Sequence, residues 1–85
     1  MASLSTFRVV VAEYVRDYLI RLTFSDGNAK VVDFSRWLHG EVFRPLIKKS
    51  EFKRFFVAGG TVCWPNGADI APETLHAVPE ASTDA

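Results

Sequence analysis

Val62-Cys63-Trp64-Pro65-Asn66-Gly67-Ala68-Asp69-Ile70 holds a strand, a rigid turn and the start of a second extended stretch in nine residues. Pro65 presets the backbone at the first central position of a tight turn, and Asn66 or Gly67 after it tolerates the left-handed conformation that completes the reversal. Thr61 to Trp64 and Ala68 to Ile70 are therefore expected to pair as a small hairpin. Strand alternation puts Val62 and Trp64 on one face and Cys63 on the other. Trp64, Pro65, Asn66, Gly67 and Asp69 form the structural motif of the chain, with Asp69 placed to accept local backbone hydrogen bonds and fix the loop.

Upstream, Phe7 to Tyr14 reads as a valine-rich first strand and Val15 to Asp17 as a short hairpin loop. Tyr18, Ile20, Leu22 and Phe24 alternate with Leu19, Arg21, Thr23 and Ser25, a period of two that marks a second strand. Ser25-Asp26-Gly27-Asn28 supplies Asp-Gly turn chemistry before a third strand, Ala29 to Asp33. The simplest product is an antiparallel three-strand meander.

The pattern then changes to helix. Ser35 is a candidate cap for a short helix containing Arg36, Trp37 and Leu38, with His39 at its end near the terminal carbonyls and Gly40 as its stop. Pro45 suits a first helical turn. In Glu51 to Phe56, the residues Phe52, Phe55 and Phe56 fall at i, i+3 and i+4, so one helical face is expected to dock on the sheet. Gly59-Gly60 turns the chain into Thr61, and Pro72-Glu73-Thr74-Leu75 reads as a last helical turn. The sequence thus predicts an α+β fold: a small antiparallel β-meander, short packed helices and a C-terminal β-hairpin or strand pair. Residues 1–78 form one domain and residues 79–85 a flexible acidic tail.

Length and composition limit what this domain does. A chain of 85 residues has material for one core and hides only about 60% of its unfolded surface. A hydrophobic content of 48% with seven phenylalanines is too high for a disordered segment. The single Cys63 excludes an intramolecular disulfide and a cysteine cage for a metal. Met1 to Ser5 lack the features of a secretory signal, and no apolar run approaches the roughly 20 residues of a membrane span, so a cytoplasmic protein with no membrane association is expected. Ten basic and ten acidic side chains cancel, which argues against a dedicated nucleic-acid binder. The charges are nevertheless uneven: Arg44, Lys48, Lys49, Lys53 and Arg54 form a central basic patch.

Individual chemical groups have simpler readings. Cys63 lacks an adjacent base and reads as a small apolar residue at the core. His39 and His76 belong to no metal-ligand spacing, so neither a metal nor another cofactor is expected. Asp26 is explained by its turn, and Asp33 either caps the segment that follows or stays solvated. Gly59-Gly60 lacks the pattern of a phosphate loop. No catalytic residue is assigned. Trp64 reads as core, whereas Trp37 is equally a candidate anchor for a partner.

Tyr18-Leu19-Ile20, Phe24-Ser25-Asp26-Gly27, Val32-Asp33, Phe43-Arg44-Pro45-Leu46, Glu51-Phe52 and the run from Thr61 to Leu75 occur in an order that resembles the DUF2442 family of small bacterial proteins of unknown function. The resemblance extends over about Val9 to His76. It implies a compact α+β domain, and an accessory role in arrangements similar to toxin–antitoxin pairs. Some members of that family carry an added helix-turn-helix domain; the present chain is accounted for by one domain, which weakens any transfer of DNA binding.

The leading functional expectation is a non-enzymatic protein–protein interaction or accessory module, antitoxin-like in the sense of that resemblance. Its partner would dock on an open sheet edge or on the surface around Trp37, Arg44 and Lys48, and dimerisation is a compatible outcome for so small a domain. The alternative is a weak nucleic-acid-binding regulator that uses Arg44, Lys48, Lys49, Lys53 and Arg54. A second alternative is a small hydrolase-like enzyme with Asp33, Asp69 or a histidine at its site.

Overall fold

Strand β1 (Val9–Arg16) starts with three valines, and its first register pair with β2 (Leu19–Phe24) is Val9 with Phe24. A bulge at Val10 shifts the phase, after which Ala12 opposes Leu22 and Tyr14 opposes Ile20. β2 pairs in turn with β3 (Ala29–Asp33), Ile20 opposite Val32, to give an antiparallel sheet of order β1-β2-β3. These features come from a computed structural model that describes residues 8–81. Phe7, expected at the start of β1, and residues 82–85 of the expected tail lie outside the described residues.

Val9, Ile20, Leu22, Phe24 and Val32 present one face of this sheet to the core and are all buried. The segment after β3 covers that face in short pieces. A 3₁₀ turn at Phe34–Trp37 leads to α1 (Gly40–Phe43), a second 3₁₀ turn at Arg44–Ile47 and α2 (Lys49–Phe52). Phe34, Leu46 and Phe52 are the buried members of these pieces. β4 (Phe56–Ala58) and β5 (Thr61–Cys63) then form a two-stranded antiparallel ribbon, and α3 (Pro72–Ala77) buries Leu75 in the same cluster. The expected α+β architecture is therefore present, meander and strand pair included.

Trp64 is the centre of the core. Only 2% of it is exposed, and its indole N–H donates to the Phe52 carbonyl at 2.8 Å. Phe34 meets it edge-on at 5.8 Å between ring centroids and Phe43 at 6.3 Å. Edge-on geometry lets the positive rim of one ring face the negative face of the next.

Several local expectations are corrected. The helix expected over Glu51 to Phe56 stops at Phe52, because Phe56, Val57 and Ala58 pair with Cys63, Val62 and Thr61. Strand pairing across the Gly59-Gly60 turn outweighs the i, i+3, i+4 spacing, and Phe56 faces solvent. The hairpin expected between Thr61–Trp64 and Ala68–Ile70 reduces to one bridge, Cys63 with Asp69, and the strand partner of β5 on its other edge is β4. Asp33, not Ser35, caps the first 3₁₀ turn: its Oδ1 accepts from the Ser35 amide at 2.9 Å and the Ser35 hydroxyl at 2.7 Å. Gly40 opens α1 instead of stopping a helix, its φ of 83° setting the entry angle. His39 consequently precedes a helix in extended conformation, and its side chain makes no capping hydrogen bond. β1 runs on to Arg16, so the turn expected at Val15–Asp17 falls at Asp17–Tyr18.

Two turns share one construction. Gly27 donates to the Phe24 carbonyl and Phe24 donates to that of Asn28; Gly67 donates to the Trp64 carbonyl and Trp64 donates to that of Ala68. Gly27 and Gly67 have φ of 90° and 92°, the left-handed region that glycine enters without a Cβ clash. In each turn the residue before glycine locks the loop: Asp26 accepts from the Asn28 amide at 3.0 Å and Asn66 from the Ala68 amide at 3.1 Å. The loop-fixing acceptor expected at Asp69 is thus the amide oxygen of Asn66, whose Nδ2 also donates to the Val42 carbonyl and ties the turn to α1.

Candidate interaction surface

The bulge at Val10 decides what β1 shows to solvent. Val9 turns inward, and beyond the bulge Ala12 and Tyr14 lie over Leu22 and Ile20. Val11, Glu13 and Val15 are left on the exposed face, with Val10 exposed at the bulge. Val10 is 53% and Val11 44% accessible, high values for valines in a strand. β1 also touches β4, whose Phe56 and Val57 are 46% and 36% accessible. Two neighbouring strands therefore display five large apolar side chains outside the core. A run of valines does not reveal this, because the phase shift at Val10 is invisible when both faces carry the same residue.

The surface expected at Trp37, Arg44 and Lys48 has a different character. Trp37 is half-buried with its ring against Phe34 at 5.3 Å, and the Arg36 guanidinium lies 5.7 Å from its centroid. Arg44 and Lys48 are exposed, one at the start of the second 3₁₀ turn and one just after it. Among the described residues no hydrogen bond, ion pair or ring contact joins these three.

The central basic patch is largely occupied by the protein itself. Lys49 Nζ is 3.4 Å from the Asp17 carboxylate and 5.5 Å from the Tyr18 ring centroid. Lys53 lies 5.0 Å from the Tyr14 ring centroid, and Arg54 pairs with Glu51 at 3.4 Å. Pairs this exposed are weak individually. Their effect is to place three of the five expected phosphate contacts over acidic or aromatic neighbours.

The acid–base groups are similarly engaged. Asp33 lines an open cleft of about 650 Å³ with Tyr18, Leu19, Arg36 and Glu80, but one of its oxygens already accepts twice from Ser35. His76 Nε2 is 3.1 Å from Asp26 Oδ2, and its ring stands edge-on to Phe24 at 4.9 Å. The Asn28 backbone N–H holds the Asp26 carboxyl below its ordinary range; desolvation opposes it, and the His76 and Asn28 side chains add to the lowering. Burial, followed by the charge of Asp69, pushes the Cys63 thiol up, so the thiolate is disfavoured. No three His, Cys, Asp or Glu side chains among the described residues are grouped to hold a metal ion.

A three-strand meander closed on one face by short helical pieces and a two-strand ribbon, with a Trp-Pro-Asn-Gly turn at its heart, defines a small α+β domain. The family model described as "Protein of unknown function (DUF2442)" matches residues 9–77, and the chain belongs to that family. No curated protein and no solved structure matches it. No helix among the described residues is long and apolar enough to cross a membrane.

Proposed function

We propose that this chain is a protein-binding module that docks a partner on β1 and β4. The observation that carries the reading is the exposure of Val10, Val11, Val15, Phe56 and Val57 on two strands in contact. Apolar surface of this kind gains free energy when a partner removes it from water, and aromatic anchors such as Phe56 concentrate that gain. An antitoxin-like role, in which the partner is a toxic protein held inactive, is one form of this reading. Net charge of zero and the internal use of Lys49, Lys53 and Arg54 give the nucleic-acid alternative less support.

The test is capture from lysate of the native host, with and without nuclease treatment, using tagged wild-type protein and the Val11→Glu/Val57→Glu double variant. Both positions are solvent-exposed, so the variant should keep its circular dichroism spectrum and lose a stoichiometric protein partner, with affinity falling at least about thirtyfold. Recovery of nuclease-sensitive material alone, or equal capture by the folded variant, overturns the reading.

A further inference from the structure

β3 is an edge strand, and one side of it faces no strand of the sheet. Hydrogen bonds in an antiparallel pair alternate, so the groups that point away from β2 belong to every second residue. Val31 is one of these: its carbonyl accepts from the Ala81 amide at 2.8 Å, and its own N–H reaches the Glu80 carboxylate at 3.4 Å. Ala29 and Asp33 share that outward phase. Residues 78–81 therefore lie along the edge as a strap, with a side-chain carboxylate standing where the backbone carbonyl of a paired strand would be.

The strap is held firmly only upstream of the edge. The Lys30 ammonium donates to the His76 carbonyl at 2.6 Å and to that of Val78, closing the end of α3. Beyond Val78, Pro79 has no N–H to give. Among the described residues, the edge beyond Val78 is held by the backbone bond of Ala81 and the long contact of Glu80. Beneath this region Leu19 and Val31 are buried but stand outside the main core cluster, on the sheet face opposite Ile20 and Val32. They need a cover that continues the edge.

We propose that the outer edge of β3 is a strand-addition site, filled here by the chain's own residues 79–81 and yielded to an extended segment of a protein partner that carries an acidic residue beside a small apolar one. A whole strand bonds Ala29 as well as Val31, where residues 79–81 bond Val31 alone. The acidic residue takes over from Glu80, whose charge acts on Lys30. The small apolar residue keeps Val31 and Leu19 dry. The proposal rests on the protein-binding reading but uses the opposite edge of the sheet from β1, so the two fail separately.

The experiment compares full-length wild-type protein with the Glu80→Ala/Ala81→Pro double variant by amide hydrogen exchange, read residue by residue with NMR. Loss of the strap contacts should speed exchange at Val31 about tenfold and leave Leu22, bonded inside the sheet, unchanged. An acetylated peptide with the sequence Val78–Ala85, added in trans, should restore protection at Val31 in the variant and bind wild type at least about tenfold more weakly, because the tethered strap competes. The same peptide carrying Glu80→Ala should not restore it. Unchanged exchange at Val31, equal acceleration at Leu22, or a peptide that leaves Val31 unprotected each overturns the proposal. None of these outcomes bears on partner capture through Val11 and Val57.

Discussion

Replacing Trp64 by phenylalanine separates the two uses of a tryptophan in this domain. The variant loses the N–H that reaches the buried Phe52 carbonyl at 2.8 Å, and a buried acceptor left without its donor costs about 1–3 kcal/mol. The smaller ring also leaves unfilled space among Phe34, Phe43 and Phe52, adding about 1 kcal/mol or more. The expected loss is about 2–4 kcal/mol. Domains of this length hold roughly 4–13 kcal/mol in total, so Tm should fall by about 10–25 °C. Urea unfolding followed by far-ultraviolet circular dichroism measures it without relying on the fluorescence of the mutated residue. Trp37→Phe serves as the control and should cost under about 1 kcal/mol, because Trp37 is half-buried and packs on Phe34 alone among the core rings. A loss below about 1 kcal/mol for Trp64→Phe, or equal losses for the two variants, refutes the placement of Trp64 at the centre.

Gly67→Ala tests the turn without touching the core: nothing lies within 4 Å of the added Cβ, so the cost is the left-handed backbone alone, about 1–2 kcal/mol in the same urea assay. The Asp26 carboxyl is depressed below its ordinary 3.8, so its contacts contribute stability above that value and lose it as pH falls through the folded-state pKa. Asp26→Asn should therefore flatten the decline of stability below about pH 5, and an unchanged decline measured by urea titration at a series of pH values would exclude that role.

The meander was legible because its signals are local and redundant. Ile20, Leu22 and Phe24 alternate without a break, and Asp26-Gly27 leaves the chain little choice but to reverse. The Trp64–Gly67 turn was equally plain, since proline, asparagine and glycine each act through their own backbone. Other elements depended on partners far away in sequence. Phe52, Phe55 and Phe56 have helical spacing, yet whether residues 56–58 coil or extend depends on β5 as a partner. Gly40 showed that a positive φ was needed but not on which side of it the helix would lie.

The candidate surfaces were hidden for a related reason. Inward and outward positions of β1 differ by the one-residue slip at Val10, and Val9, Val10 and Val11 carry no contrast by which to see it. At the other edge, Pro79-Glu80-Ala81 has the composition of a loose tail, and only the fold brings Glu80 and Ala81 to Val31. A domain this small covers one face of its sheet and must then deal with two edges. It blunts β1 by bonding the Val9 amide to Gly60 at its start, leaving the valines further along exposed, and blunts β3 with a strap whose hold past Lys30 is slight. A carboxylate at the β3 edge also guards a solitary sheet against unwanted pairing, so the exposed apolar residues of β1 and β4 carry the weight of the proposal. On the proposed reading those residues leave water when a partner docks, which is what the Val11→Glu/Val57→Glu variant tests.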